Sequence, residues 1–485
     1  MKILFVIPKT KTMFGDDPGE KSLSGYPHVG IAYLVSFLEK NSPSTKIKIY
    51  DEQADGSQKL TIMIKDFKPD LIGITCFSYN YRYFYDLILK IKKITRVPLV
   101  LGGPHISAIR KDVLKETKAD LAVKGEGEET ACELIKELEK KKPDFKKIKG
   151  LIWRQKGKII ENEDRALIKN LDSLPFPDYE AFDLKKYTCL REKTLPLITS
   201  RGCPYGCNYC SVRLSMGCLF RPRSPQNVID EIKFWYRKGF RKFLINDDCF
   251  TVDLKRAERI CDLIIKNKLK ISYELNNGIR VDRVTLGLLR KLKKSGCRFI
   301  TYGCEAGNEK ILKIIGKGIT LNQVKKAVDL TNKAGIKNAV NFIIGHPNEN
   351  YQTAMDSIKF AKSLPTGYVN FYSLVPYPGT KLFQWVSENA EFTMPVENYL
   401  RDLSYRDAFP TFETKDFPKR LRTKAIKKGF ALYEKTIYQF RLGKHLGFFL
   451  FYLTRLGLAS WARNFALNTS LGRKIYFYLS MKSRD

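Results

Sequence analysis

Short apolar runs alternate with longer amphipathic stretches through the first 150 residues. The runs are ILFVIP (Ile3 to Pro8), IKIYD (Ile47 to Asp51), LIGIT (Leu71 to Thr75), PLVLGG (Pro98 to Gly103) and DLAVKGEG (Asp120 to Gly127). Helical patterns such as VGIAYLVSFLEKN (Val29 to Asn41) and FYDLILKIKKI (Phe84 to Ile94) lie between them. Near-continuous apolar strands, each returning through a helix, predict a parallel, doubly wound sheet. Ligands of such sheets sit at the carboxyl ends of the strands.

The pattern changes at Leu151. LIWRQKGKIIENEDR predicts a β-hairpin and LDSLPFPDYEAFD is rich in proline and acid, so 151–190 reads as a linker. A second alternating series then runs through LPLITS (Leu195 to Ser200), KFLIND (Lys242 to Asp247), ISYELN (Ile271 to Asn276), RFITYGCE (Arg298 to Glu305), NAVNFIIG (Asn338 to Gly345) and YVNFYSL (Tyr368 to Leu374). Six strand–helix units suit a partial (β/α)6 TIM barrel, since a complete one has eight. After Phe409 strand patterns stop. DFPKRLRTKAIKKGFALYEKTIYQFRL and GKHLGFFLFYLTRLGLASWARNFAL read as basic helices with aromatic faces. The expected fold class is α/β: a Rossmann-like parallel sheet over 1–150, the linker 151–190, a partial barrel over 191–395 and a helical region over 396–485.

Composition narrows this picture. An apolar fraction of 44% in 485 residues excludes a disordered chain and requires more than one core. The eleven cysteines are not spaced as the framework of a small secreted domain. MKILFVIPKTK begins as a strand and lacks the apolar core and cleavage site of a signal peptide, so a reducing cytoplasm is expected. The net charge of +35 suits nucleic acid, an anionic membrane surface or acidic substrates. No recognised nucleic-acid module accompanies it, which sets nucleic acid aside. The run His445 to Trp461 is short for a bilayer span and is interrupted by Arg455. It is expected to cap the barrel or to lie at a membrane interface.

The densest chemistry is TSRGCPYGCNYCSV (Thr199 to Val212), where Cys203, Cys207 and Cys210 form C-x3-C-x2-C. A 4Fe–4S cluster is usually held by four thiolates, so three leave one iron open to a substrate or cofactor. Gly202, Pro204 and Gly206 help one short loop wrap three corners of a cube. A zinc site would have to recruit Cys218 or Cys189, and no second cysteine hook exists.

With Tyr209 before its last cysteine, the triplet resembles the radical S-adenosylmethionine (radical SAM) superfamily signature. In that superfamily the methionine amino and carboxylate groups chelate the open iron. An electron then cleaves the sulfonium to a 5′-deoxyadenosyl radical. NDDCF (Asn246 to Phe250), NNGIRVD (Asn276 to Asp282) and YGCEAGNEKILKIIGKG (Tyr302 to Gly318) resemble later segments of the family barrel. So do FIIGHPNE (Phe342 to Glu349) and VPYPGTKLF (Val375 to Phe383). The resemblance implies Cys203, Cys207 and Cys210 as cluster ligands. It implies S-adenosylmethionine contacts at Tyr209, Asp248, Arg280, Glu305 and Gly345. Arg280 would meet the methionine carboxylate, Glu305 or Asp248 the ammonium or ribose, and Gly345 the adenine turn.

The first 150 residues resemble the cobalamin-binding domain that precedes many radical SAM barrels. The resemblance rests on YPHVGIAYL, YDEQADG, PDLIGIT, GGPH and GEGE in that order. It implies cobalamin contacts at Thr75, Gly102, Gly103, His105, Gly125, Glu126 and Gly127. One departure is Gln53, which stands in DEQADG where the methionine-synthase type has its cobalt-ligating histidine. That predicts cobalamin without a lower histidine ligand.

Together the two resemblances imply radical methylation of an unactivated carbon, or another bond formed there. The alternatives are a methylthiotransferase, a ring-forming enzyme, and a non-catalytic cobalamin or iron–sulfur sensor. A methylthiotransferase carries a further cluster on three N-terminal cysteines, and the first domain holds only Cys76 and Cys132, with Cys189 in the linker, at wide spacing. Auxiliary clusters in a C-terminal extension are excluded, because no cysteine follows Cys304. The expected partners are a small-molecule substrate, with a lipid or phosphorylated compound in view, an electron donor such as flavodoxin or ferredoxin, and peripheral membrane contact.

Overall fold

The computed structural model describes residues 1–9, 25–56, 59–277, 279–400 and 409–455. The first sheet has the order β2-β1-β3-β4-β5-β6-β7. Its strands are β1 (Lys2–Ile7), β2 (Lys46–Asp51), β3 (Leu71–Thr75), β4 (Leu99–Gly102), β5 (Leu121–Val123), β6 (Leu151–Gln155) and β7 (Lys158–Glu161). The first five run parallel, as the apolar runs predict. The hairpin β6–β7 is present, and it pairs antiparallel with β5 as an extension of this sheet. A three-residue β5 would otherwise leave an unpaired edge, and the hairpin covers it.

Strand periodicity sorts the first sheet's residues between two cores. Leu4 and Val6 face one core with Ile72, Ile74, Leu99 and Leu101. Ile3, Phe5 and Ile7 face another, which takes in the helix Val29–Asn41, Tyr179, Phe182 and Tyr187 of the linker, and then the barrel. One continuous apolar core therefore spans both halves of the chain.

The second sheet has the order β15-β14-β13-β12-β11-β8, with every neighbouring pair parallel. Its strands are β8 (Thr194–Leu197), β11 (Lys242–Ile245), β12 (Ser272–Leu275), β13 (Cys297–Glu305), β14 (Lys337–Ile344) and β15 (Tyr368–Ser373). This is the partial six-stranded barrel that the second series predicts. Between β8 and β11 a two-residue ladder joins β9 (Ser200–Arg201) to β10 (Arg221–Pro222).

The helical C-terminal region begins with the helix Lys419–Leu442, which runs along the β15 edge. Gly429 lets it approach the Phe371 ring, 2.8 Å from where a Cβ would sit. Strands do not stop entirely at Phe409: Phe412–Glu413 pairs with Glu391–Phe392, a two-residue ladder too short to leave a periodic signal. The helix Lys444–Arg455 completes the described chain, and the helical reading of GLASWARNFAL lies outside the described residues. Among the described residues no helix is long and apolar enough to cross a membrane.

Candidate active site

The cysteine loop hangs between β9 and β10 at the carboxyl end of the barrel. Gly202 opens it at φ +83, and a Cβ there would lie 2.2 Å from the Leu219 carbonyl, so only glycine closes the loop. The paired acids after β11 hold the loop's root. Asp247 accepts from the Thr199 amide at 2.6 Å, the Thr199 hydroxyl at 2.5 Å and the Ser200 hydroxyl at 2.6 Å. Asp248 accepts from the Gly202 amide at 2.8 Å, and burial pushes its carboxyl up to about 6. On the far side the Asn208 amide donates to Ile315.

Cys203, Cys207 and Cys210 are half-buried and near enough to perturb one another's ionisation. A hydrogen bond from the buried Cys249 lowers the Cys203 thiol to about 6, while burial raises Cys207 and takes Cys210 to about 11. Among the described residues no three ligating side chains converge on the point a single ion would occupy. Of the two cysteines a zinc site would recruit, Cys189 is packed in the core and Cys218 is exposed.

Cations lie beside the thiols. Arg280 is buried, stacks 3.6 Å from the Tyr205 ring within the cysteine loop, and donates to Asp282 at 2.9 and 3.2 Å. Its Nη2 also donates to the Lys317 carbonyl at 2.8 Å. Lys317 in turn pairs with Glu305 at 2.5 Å, and its charge lowers the Cys207 thiol against burial. Glu305 ends β13 at φ 73, a left-handed conformation rare for glutamate, where the β13–β14 register shifts. Gly303 makes room for this pair, because a Cβ there would lie 2.2 Å from the Glu305 carboxylate. Backbone strain kept at a strand end marks a constrained site.

Tyr209 is held within reach of Glu305, with its ring 6.2 Å from that of His346. His346 follows Gly345 in the turn after β14. Its ring is fully buried, faces the Glu305 carbonyl without a well-formed hydrogen bond, and burial holds it neutral, down to about 3. Glu349 closes the turn by accepting from the Gly345 amide at 2.5 Å and the His346 amide at 3.0 Å. Arg422, from the helix Lys419–Leu442, donates to the Gly345 carbonyl at 3.0 Å. The predicted set Tyr209, Arg280, Glu305 and Gly345 is thus gathered with the cysteines, and Asp248 serves the loop itself.

The other predicted set gathers at the carboxyl end of the first sheet. Thr75 ends β3, and Gly103 takes φ +102 where a Cβ would meet the Cys76 carbonyl at 2.7 Å. At Gly102 and Gly125 a Cβ would meet nothing, so both strand ends face open space. His105 is fully buried, with Nδ1 3.0 Å from the Ser78 hydroxyl and its ring edge-on to Tyr81 and Phe84. Asn80 is buried with neither amide atom partnered. Open glycine ends beside a buried, unpaired amide fit a broad amide-fringed macrocycle such as a corrin. Glu126 is directed elsewhere: it accepts from Arg201, Arg221 and the Ile168 amide. Gly127 starts the helix Glu128–Leu138.

The two ends face each other. The helix Pro104–Ile109, which carries His105, packs on Val212–Ser215, which follows Cys210. Gly379 rests against the Ala108 carbonyl and Leu214.

Sequence reasoning missed Lys317, Asp247, Cys249 and Arg422. Lys317 had a signal, a lysine flanked by glycines in IGKG, and Asp247 adjoins a predicted acid. Arg422 had none, because its contact lies 77 residues away in sequence.

Both domains match known families. The radical SAM superfamily model matches residues 197–361, and the B12 binding domain model matches residues 19–135. An uncharacterized methyltransferase of Pyrococcus horikoshii is 33% identical over 436 residues, covering 89% of this chain and 92% of the relative. The anaerobic magnesium-protoporphyrin IX monomethyl ester cyclase of Rubrivivax gelatinosus is 26% identical, covering 86% and 76%. The fold is that of the radical SAM methyltransferase TsrM from Kitasatospora setae, with a TM-score of 0.66, 18% identity, and coverage of 80% of this chain and 76% of that one. It is also that of the cobalamin-dependent radical enzyme OxsB, with a TM-score of 0.71, 18% identity, and coverage of 90% and 67%. The chain belongs to the radical SAM superfamily, among the enzymes that carry a B12-binding domain ahead of the barrel and use a 4Fe–4S cluster, S-adenosylmethionine and cobalamin.

Proposed function

We propose that the chain methylates an unactivated carbon of a small-molecule substrate. The observation that carries this reading is the meeting of the two sheet ends, where the GGPH helix abuts the helix after Cys210. When bound, the cluster with S-adenosylmethionine supplies a carbon-centred radical initiator and cobalamin supplies a transferable methyl group. The domain division at 150, 190 and 395 belongs to the same proposal, with the hairpin β6–β7 attached to the first sheet.

Cys203, Cys207 and Cys210 would hold the cluster. Arg280 and Lys317 offer positive charge to a carboxylate, and Glu305, once Lys317 turns to the ligand, accepts from hydroxyl or ammonium groups. Tyr209 and Gly345 wall the adenine side, and Asp248 keeps the loop root in place. Thr75, Gly102, Gly103 and Gly125 would line the corrin, with His105, boxed by Ser78, Tyr81 and Phe84, bracing that wall.

Ring formation is the second reading, favoured by the likeness to the cyclase of Rubrivivax gelatinosus. Methylthiotransfer has little support, since Cys76 and Cys132 are buried in separate cores. The test is an incubation of reconstituted protein with methyl-labelled S-adenosylmethionine, cobalamin, a reductant and candidate substrates. Label transferred to carbon supports methylation; 5′-deoxyadenosine with an unlabelled, dehydrogenated product would replace it with ring formation.

The substrate surface extends, in this proposal, to an anionic membrane. Gly447 brings the helix Lys444–Arg455 against Tyr438, and its other side exposes Leu446, Phe448, Phe449 and Tyr452. Lys435 lies 5.1 Å from the Phe448 ring, and Arg441 and Lys444 are exposed nearby. An aromatic arc fringed by cations suits the headgroup region, and a lipid or phosphorylated substrate would be drawn to the same charge. Co-sedimentation with phosphatidylglycerol vesicles but not phosphatidylcholine vesicles is expected; no binding to either would remove this part.

A further inference from the structure

The seam between the two halves contains a buried set of paired charges, in which the Arg221 Nε lacks a partner. Glu126 Oε1 accepts from Arg201 Nη1 at 2.7 Å and Arg221 Nη1 at 2.9 Å, and its Oε2 accepts from Arg221 Nη1 and the Ile168 amide, each at 2.8 Å. Glu128 Oε1 accepts from Arg201 Nη2 at 2.8 Å. None of these four side chains exceeds 7% exposure. The Arg201 guanidinium also lies 5.1 Å from the ring of Tyr33, whose hydroxyl accepts from Arg223 at 3.2 Å.

The placement matters more than the charge count. Arg201 and Arg221 oppose each other on β9 and β10, the two rails from which the cysteine loop 202–220 hangs. Glu126 and Glu128 belong to the loop after β5 and the helix it starts, at the carboxyl end of the first sheet. The packing contacts at Ala108, Leu214 and Gly379 are non-directional, whereas the Arg201 guanidinium, forked between the Glu126 and Glu128 carboxylates, fixes angle as well as distance. Buried ion pairs add little net stability over apolar residues, so their specific contribution is register.

We propose that Glu126 and Glu128 are positioning residues that clasp both rails of the cluster loop and thereby fix the separation between the cluster and the corrin. The proposal rests on the two-cofactor reading. It gives the acids of GEGE a role through Arg201 and Arg221 in place of direct contact with cobalamin.

The test needs no substrate. Protein carrying both cofactors is reduced until the cluster and cob(II)alamin are both paramagnetic, and their dipolar coupling is measured by pulsed electron paramagnetic resonance. Wild-type protein should give one narrow coupling. E126Q should keep its iron and cobalamin but show a weaker, broadened coupling, with reduction of cobalamin by the cluster slowed as the two cofactors move apart. R221K, which keeps the charge but cannot reach Glu126 and the Met216 carbonyl together, should fall between them, and it decides the matter if E126Q does not fold. E231Q breaks the buried Arg223–Glu231 pair within the barrel and should lower thermal stability while leaving the coupling as in wild type. E126Q or R221K with both cofactors bound and a wild-type coupling would overturn the clasp alone. Wild-type protein that takes up the cluster but no cobalamin would overturn the two-cofactor reading beneath it.

Discussion

At the carboxyl end of the barrel most side chains are ionisable and already held by a neighbour, whereas the carboxyl end of the first sheet is glycine, threonine, asparagine and aromatic rings around Gly102, its acids Glu126 and Glu128 being turned to Arg201 and Arg221. Asp247, Asp248, Arg280, Glu305, Lys317 and Glu349 each have named partners. Gly102 and Gly125 instead face open space, and Asn80 is unpaired. The two ends suit different guests: a compact, charged cofactor beside thiolates on one side, a broad macrocycle with an uncharged amide fringe on the other. A charged guest needs preorganised dipoles, while a broad one needs room and backbone access.

The comparison breaks most completely at the cysteines. Cys203→Ala, Cys207→Ala or Cys210→Ala should each strip the cluster iron and take 5′-deoxyadenosine below detection while cobalamin uptake, read from its visible spectrum, is retained. Gly202→Ala should come close to this, because φ +83 and a 2.2 Å clash with Leu219 forbid the loop's closure; iron content is the readout. Lys317→Met leaves Glu305 buried without its partner and should cost about 3–5 kcal/mol in thermal unfolding.

Glu349 adds a pH arm. Burial raises its carboxyl from 4.5 to about 7, so the folded state binds this proton more tightly than the unfolded one. Its contribution to stability is full below about 4.5 and is lost as pH rises through about 7, on the order of 3 kcal/mol. Glu349→Gln should therefore flatten that part of the stability–pH curve; a melting profile parallel to wild type would contradict the assignment. The smallest effect is the most selective. Gly102→Val fills open space, so folding and iron content should be unchanged while cobalamin affinity, followed by titration, falls about tenfold or more.

Much of this was legible in the chain. All eleven parallel strands announce themselves as apolar runs, and the cysteine triplet and glycine-bearing strand ends carry the site's outline. Two kinds of feature were not legible. The hairpin after Leu151 shows its own pairing in sequence but not which sheet edge it joins, because edge choice is a tertiary decision. Likewise Glu126 reads as a ligand contact from its GEGE context, yet its partners Arg201 and Arg221 come from strands 75 and 95 residues away. Local pattern reveals a strand end; it does not reveal what fills the space opposite.

The most direct measurement is anaerobic reconstitution with iron, sulfide and hydroxocobalamin, followed by S-adenosylmethionine and a low-potential reductant. The account predicts one 4Fe–4S cluster and one cobalamin per chain, the cluster lost on mutation of Cys207 and cobalamin uptake weakened on mutation of Gly102, and 5′-deoxyadenosine that requires the cluster. An intact cluster that forms no 5′-deoxyadenosine, in a chain that leaves cobalamin in solution, would contradict it.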